Sequence, residues 1–222
     1  MLHRLLNLLF PPKCILCRRI LSQEELDLCT HCRENAPELK KENFKFSFIA
    51  QWTAVWYYKD NVRASLLRYK FYGRRNYAKA YGRLLAMRIL RRFPNGFDVL
   101  TWVPISRRRR IKRGFDQMEL IARSVAAELG IGASKVLKKV RHTKPQSVLT
   151  DPSHRRANVM NAYEITDPGA IAGKRVLILD DIITTGATAS ECAKTLLTAG
   201  AKEIYCAALA VASHDKKQVT KP

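Results

Sequence analysis

Residues 175–190 read RVLILDDIITTGATAS. An apolar run ends in two adjacent carboxylates, Asp180 and Asp181, and a turn of small residues, Thr184-Thr185-Gly186-Ala187-Thr188, leads into a helical pattern. Ligands of open α/β sheets bind beyond the carboxyl ends of the strands, and the two carboxylates are expected to stand there. A small-residue turn that feeds a helix N-terminus offers free N–H groups and a positive dipole end, which suits a phosphate. Threonine hydroxyls add donors, and glycine lets the backbone come close. Carboxylates aimed at that phosphate would repel it. They make sense if they accept hydrogen bonds from sugar hydroxyls, so the implied ligand is a ribose 5-phosphate. The string LILDD also looks like the Walker B strand of an NTPase. That reading needs a GxxxxGK[ST] loop, and the nearest string, Gly169 to Arg175, is one residue short, lacks the Ser/Thr and sits at the wrong end of the strand. A plain core strand with surface acids is the other alternative.

A second constellation is Cys14-Ile-Leu-Cys17 with Cys29-Thr-His-Cys32. Two residues between paired thiolates let both grip one tetrahedral ion, and soft sulfur ligands select zinc. A segment of roughly 40 residues buries too little apolar surface to fold alone, which makes a metal a physical need. Four thiolates close the coordination shell, so the expected zinc is structural. A redox CxxC is the rival, and the paired repetition argues against it. His31 reads as a loop residue, and Cys192 and Cys206 as small buried hydrophobes.

The elements that must position these residues follow from periodicity. Trp52 to Tyr58, Asp98 to Pro104, residues 135–140, Val176 to Asp180 and Ile204 to Val211 read as strands. Residues 61–92 have helical spacing broken near Gly73; Phe115 to Leu129 and Ala187 to Ala199 read as helices. Residues 141–160 are polar and read as one long loop, a length that is usually functional. Helices alternating with continuous apolar strands imply an α/β, doubly wound, mostly parallel sheet. The expected division is an amphipathic start plus four-Cys domain over 1–48 and a body over 49–212, with a hood at 51–97, a core at 98–212 and a tail at 213–222.

The 222 residues carry 40 Lys+Arg against 19 Asp+Glu, a formal charge of +21. The surplus is not spread evenly. Residues 1–50 hold 8 basic and 6 acidic side chains, residues 51–160 hold 25 and 6, and residues 161–222 hold 7 and 7. That excludes an acidic, solvating chain and points to a polyanionic partner. The 47% hydrophobic content excludes a mostly disordered chain. No run approaches the ~20 apolar residues of a membrane span. Met1 to Phe10 is short for a signal peptide and no small-residue cleavage site follows, so the expected location is cytoplasmic.

The stretch Val176–Thr188 resembles the PRPP-binding motif of type I phosphoribosyltransferases. Around it, LLFPPKCILC, YKFYGRRNYA (Tyr69–Ala78), VPISRRRRIKRGFDQ (Val103–Gln117), RHTKPQSVL (Arg141–Leu149) and RRANVMNAY (Arg155–Tyr163) resemble the ComF family of competence proteins, and the resemblance runs over residues 4–211. Where that family writes RGFNQ, this chain has Asp116. The resemblance implies that Asp180 and Asp181 hold the ribose hydroxyls and that Thr184 to Thr188 hold the 5-phosphate. It implies a pyrophosphate loop at Pro104, Ile105, Ser106 and Arg107 with Arg113, and a flexible loop over 141–160 contributing Gln146 and Arg155, with Arg156 and Asn158 beside them. Mg²⁺ is expected with the PRPP, and Lys70 and Phe71 are expected to face the acceptor. Two functions are open. One is an enzyme that transfers phosphoribose to a small acceptor and releases pyrophosphate. The other is a module of natural transformation that contacts single-stranded DNA through its basic middle segment, alongside a competence helicase or other transformation proteins. A dimer is possible under either.

Overall fold

A computed structural model describes residues 11–143 and 151–212. The amphipathic start at residues 1–10, Gln146 and the tail 213–222 lie outside the described residues.

The body is built on a four-stranded sheet in the order β1-β6-β5-β2, from β1 (Gln51–Tyr57), β2 (Val99–Trp102), β5 (Arg175–Ile183) and β6 (Glu203–Val211). Every neighbouring pair in it is parallel. A parallel sheet is stable when both faces are covered, and its strands are then apolar throughout. Along β5 the faces alternate with the period of two that a pleat imposes. Val176 and Ile178 join a cluster with Cys192, Ala193 and Leu196 of α7 (Ala187–Thr198). Leu177 and Leu179 join the opposite cluster, with Tyr81, Leu85 and Ile89 of α3 (Tyr77–Arg92) and Ile121 and Val125 of α5 (Gln117–Leu129). The sheet is therefore doubly wound. Helices α3 and α5 approach closely because Gly82 has no side chain: a Cβ there would lie 2.2 Å from Ser124 Oγ.

The expected strand Val176–Asp180 is longer than its apolar run. It pairs with β2 only as far as Leu179 but follows β6 out to Ile183, opposite Val211. Asp180 and Asp181 are thus strand residues beyond the end of β2, not residues beyond the end of β5. The expected 141–160 loop is also corrected. It contains α6 (Pro152–Val159), whose N-cap Asp151 accepts from the backbone N–H of Ser153 at 2.6 Å. Before it, β3 (Leu137–Lys139) forms an antiparallel ribbon with β4 (Tyr163–Ile165), in which Lys139 is opposite Tyr163. The arginine run is itself a short helix, α4 (Arg107–Arg113), ended by Gly114 in the left-handed conformation.

The cysteine segment, with the short α1 (Thr30–Asn35), does not stand apart. Ile15, Leu16 and Leu28 share one buried cluster with Val62 and Leu66 of α2 (Asp60–Phe71). Arg68 of α2 donates to the carbonyls of Ile15 at 2.9 Å and Leu16 at 2.6 Å, and Arg83 Nε donates to Asp27 at 2.8 Å. The connecting strap covers the outer edge of β1: Tyr57 N–H donates to Pro37 and Leu39 N–H to Val55. An edge strand so covered offers no free ladder to another chain. Trp52 then holds the strap through its indole N–H to Phe44 and its ring against Phe46.

Candidate functional site

The carboxyl ends of β5 and β2, the end of α2, α4 and the β3–β4 ribbon enclose a cavity of about 390 Å³. Asp180, Asp181 and Thr184 to Thr188 form its floor and one wall, with Lys70, Phe71, Pro104, Ile105 and Arg113 around them. Ser106 is buried beside it, 2.9 Å from His142 Nδ1, and Arg107 is an exposed first residue of α4; neither lines the cavity. Arg155 lies on α6 and does not line it either.

Each of these side chains has a local cause. The αL conformation of Gly186 turns the chain from β5 into α7. The N-terminal end of that 12-residue helix then opens onto the cavity. The hydroxyl of Thr185 is buried there without a hydrogen-bond partner among the described residues. A buried orphan donor at a helix N-terminus fits an absent oxyanion. Asp116 sets the opposite loop. Its Oδ1 accepts from the N–H groups of Met118 and Glu119, capping α5, and its Oδ2 accepts from Ile105 N–H at 3.1 Å. An asparagine has one carbonyl oxygen and could not accept on both sides, so the Asp at this position fixes the loop at Ile105 to the start of α5. Burial raises its carboxyl pKa, against the pull of those three N–H groups.

The electrostatics pair two carboxylates with four cations. Asp180 is buried, and burial with the charge of Asp181 beside it pushes its pKa up to about 7. Lys70 Nζ meets Asp181 Oδ2 at 2.7 Å. Arg109 and Arg113, one turn apart on α4, face the same space. The fourth cation is Lys139, whose Nζ donates to Tyr163 Oη at 3.0 Å. Burial, with Arg109 adding to it, pushes its pKa down to about 8. Sequence reasoning missed Arg109, Lys139, Thr143 and Tyr163. Arg109 could have been found from its i,i+4 spacing with Arg113. Lys139 and Tyr163 depend on the register of the β3–β4 ribbon, which no local pattern carries.

The four N-terminal cysteines form a second centre. Their sulfurs lie within 4.8 Å of one another, and those of Cys17 and Cys29 are 3.6 Å apart. Zn–S bonds of about 2.3 Å give a tetrahedron with edges of about 3.8 Å, so the cluster fits zinc. Cys192 and Cys206 are buried in α7 and β6, away from this cluster.

A phosphoribosyl transferase domain model matches residues 119–222, and a double zinc ribbon domain model matches residues 5–43. The chain thus joins a phosphoribosyl transferase domain to a double zinc ribbon. It is 35% identical over 144 residues to the DNA utilization protein YhgH of Salmonella typhi, covering 62% of each chain. It is 34% identical over 110 residues to competence protein F of Haemophilus influenzae, covering 49% of this chain and 48% of that one. Competence protein ComFC of Bacillus subtilis is 27% identical over 152 residues, 66% of this chain and 58% of its own. The match thus spans about three fifths of the length of the first of these relatives. Among solved structures, a glutamine phosphoribosylpyrophosphate (PRPP) amidotransferase from B. subtilis aligns with 64% of this chain and 30% of its own at 24% identity and a TM-score of 0.45. The two domain matches and the parallel sheet together give the phosphoribosyltransferase fold, with a structural zinc ribbon at its N-terminal side. No helix among the described residues is long and apolar enough to cross a membrane.

Proposed function

We propose that this chain binds PRPP with Mg²⁺ in the 390 Å³ cavity and serves DNA utilization in natural transformation, meeting single-stranded DNA on its basic face. One observation carries the first part. The paired carboxylates, the turn at 184–188 and four cations converge on one cavity, so sugar, 5-phosphate and diphosphate each find a complementary wall. Asp180 and Asp181 would accept from the ribose hydroxyls. The N–H groups at the start of α7 and the orphan hydroxyl of Thr185 would take the 5-phosphate. Arg109, Arg113 and Lys139 would face the diphosphate, where charge develops as the bond to C1 breaks. Bound Mg²⁺ supplies further neutralisation of the diphosphate, and the oxygen-rich Asp180–Asp181 pair suits such a hard cation. Lys70, paired with Asp181, would hold that carboxylate in position.

The DNA role rests on the relatives' names and on charge. The relatives are named for competence and DNA utilization. Residues 51–160 carry 25 basic against 6 acidic side chains, far more than one diphosphate needs. Calorimetry of PRPP with Mg²⁺ tests the site: binding is expected, and Asp180→Asn with Asp181→Asn is expected to abolish it. Pyrophosphate release with nucleobases, ammonia or oligonucleotides then separates an enzyme from a binding module. Release with a small acceptor, and no salt-dependent DNA binding, would favour an enzyme without a direct DNA role.

A further inference from the structure

Helix α4 has two working faces. Arg109 and Arg113 line the cavity, while Arg107, Arg108, Arg110 and Lys112 are exposed on the outside, with Ile111 72% exposed among them. At the cavity rim, Phe71 is 61% exposed and Tyr72 72% exposed, and the exposed Arg74 and Arg75 follow in sequence. Phe71 and Tyr72 are adjacent in sequence, so two aromatic rings are open to solvent side by side. The guanidinium of Arg113 lies 5.2 Å from the centroid of the Phe71 ring. Phe71 and Arg113 therefore belong to both the cavity wall and the outer surface. Open rings interleaved with arginines suit a single strand, whose bases can stack while its phosphates meet cations; a duplex offers no free base faces.

We propose that the cavity and this rim are antagonistic: PRPP in the cavity weakens single-stranded DNA on the Phe71–Tyr72 and α4 surface, and dissociation of PRPP restores DNA binding. The inference rests on the PRPP reading above. The sign follows from charge. A diphosphate engages Arg109 and Arg113 from inside, so their field no longer serves the strand, and its remaining negative charge faces the strand phosphates across one helix. For a few phosphates about 10 Å from a ligand half-neutralised by Mg²⁺, Coulomb's law in water with physiological screening gives a weakening of about 5-fold. Linkage requires the same factor in reverse.

The test uses the full chain. Anisotropy of a labelled oligothymidylate is titrated with and without saturating PRPP and Mg²⁺, with ionic strength matched by NaCl. Calorimetry of PRPP is run with and without the unlabelled oligonucleotide. A rise of about 5-fold in the DNA Kd with PRPP, matched by the same factor in calorimetry, supports the proposal. An oligonucleotide carrying 2-aminopurine should be quenched on binding by stacking, and Tyr72→Ala should lose much of that quenching. If PRPP and DNA both bind and neither affects the other, or each tightens the other, the antagonism is overturned while the cavity reading survives. If calorimetry shows no PRPP binding even without DNA, the cavity reading itself fails and the antagonism with it. If no DNA binds at low salt, the basic-face reading fails.

Discussion

Gly186→Ala tests how the phosphate turn is built. Gly186 has φ +74 at the start of α7, and a Cβ there would sit 2.2 Å from Phe46 Cδ1 and 2.7 Å from Cε1. Carbon atoms in contact prefer about 3.5–4.0 Å, so the ring would have to retreat by more than about 1 Å. Two costs add. The left-handed conformation costs an alanine about 1–2 kcal/mol. Moving the Phe46 ring from its edge-on packing against Trp52, centroids 5.0 Å apart, costs about 1 kcal/mol more. The expected loss is about 2–3 kcal/mol, or roughly 5–10 °C in Tm for a chain of this size. The two costs separate in a double-mutant cycle. In a Phe46→Ala background the ring is gone, and Gly186→Ala should cost only the backbone part. Urea denaturation followed by tryptophan fluorescence and by far-ultraviolet circular dichroism measures all four proteins. If Gly186→Ala costs the same in both backgrounds, Phe46 does not pack on the turn and the reasoning is refuted.

Lys139 gives a pH signature. Its pKa is lowered from 10.5 to about 8, so between those values the unfolded chain holds the proton that the folded chain has lost. Its contribution to stability therefore rises with pH across that window and is a penalty below it. Lys139→Met should flatten the slope of stability between about pH 8 and 10.5, checked by denaturation at a series of pH values. By the same titration, PRPP affinity should fall above about pH 8 in the native chain and fall less in Lys139→Met, read by calorimetry. Arg68→Met leaves the carbonyls of Ile15 and Leu16 without their charged donor, a loss of about 1.5–3 kcal/mol, and should speed zinc transfer to a chromogenic chelator. Elemental analysis should find one zinc for the cluster of Cys14, Cys17, Cys29 and Cys32, and Cys32→Ser should lose it together with the fold of the ribbon.

What the sequence carried locally was readable. The apolar run, the two carboxylates and the small-residue turn occupy consecutive positions, so strand β5, Gly186 and helix α7 follow from the string itself. The same holds for CxxC…CxxC and for α5, with a cap before it and Gly130 after it. What depended on partners was not. Strand β5 runs on through Asp180 and Asp181 because β6 continues beside it after β2 has stopped, and polar residues give no sign of that. The polar composition of helix α6 hides its apolar periodicity, although Asp151-Pro152 is a proper start signal. Helix α4 has no apolar period at all and buries no residue. Lys139 reaches the cavity through the register of a short antiparallel ribbon, which sets side-chain direction and has no signature in the residues themselves.

Helix α2 has a mechanical consequence. Arg68 grips the backbone between Cys14 and Cys17, while Lys70 and Phe71, two and three residues on, reach the cavity. At 1.5 Å of rise per residue, only about 3 Å of helix axis separates the anchor at the sulfurs from the ammonium on Asp181. The zinc ribbon is thus a foundation stone of the cavity wall. Cutting it away to study the larger part alone would leave α2 without its footing, and the trimmed protein would report on a differently shaped site.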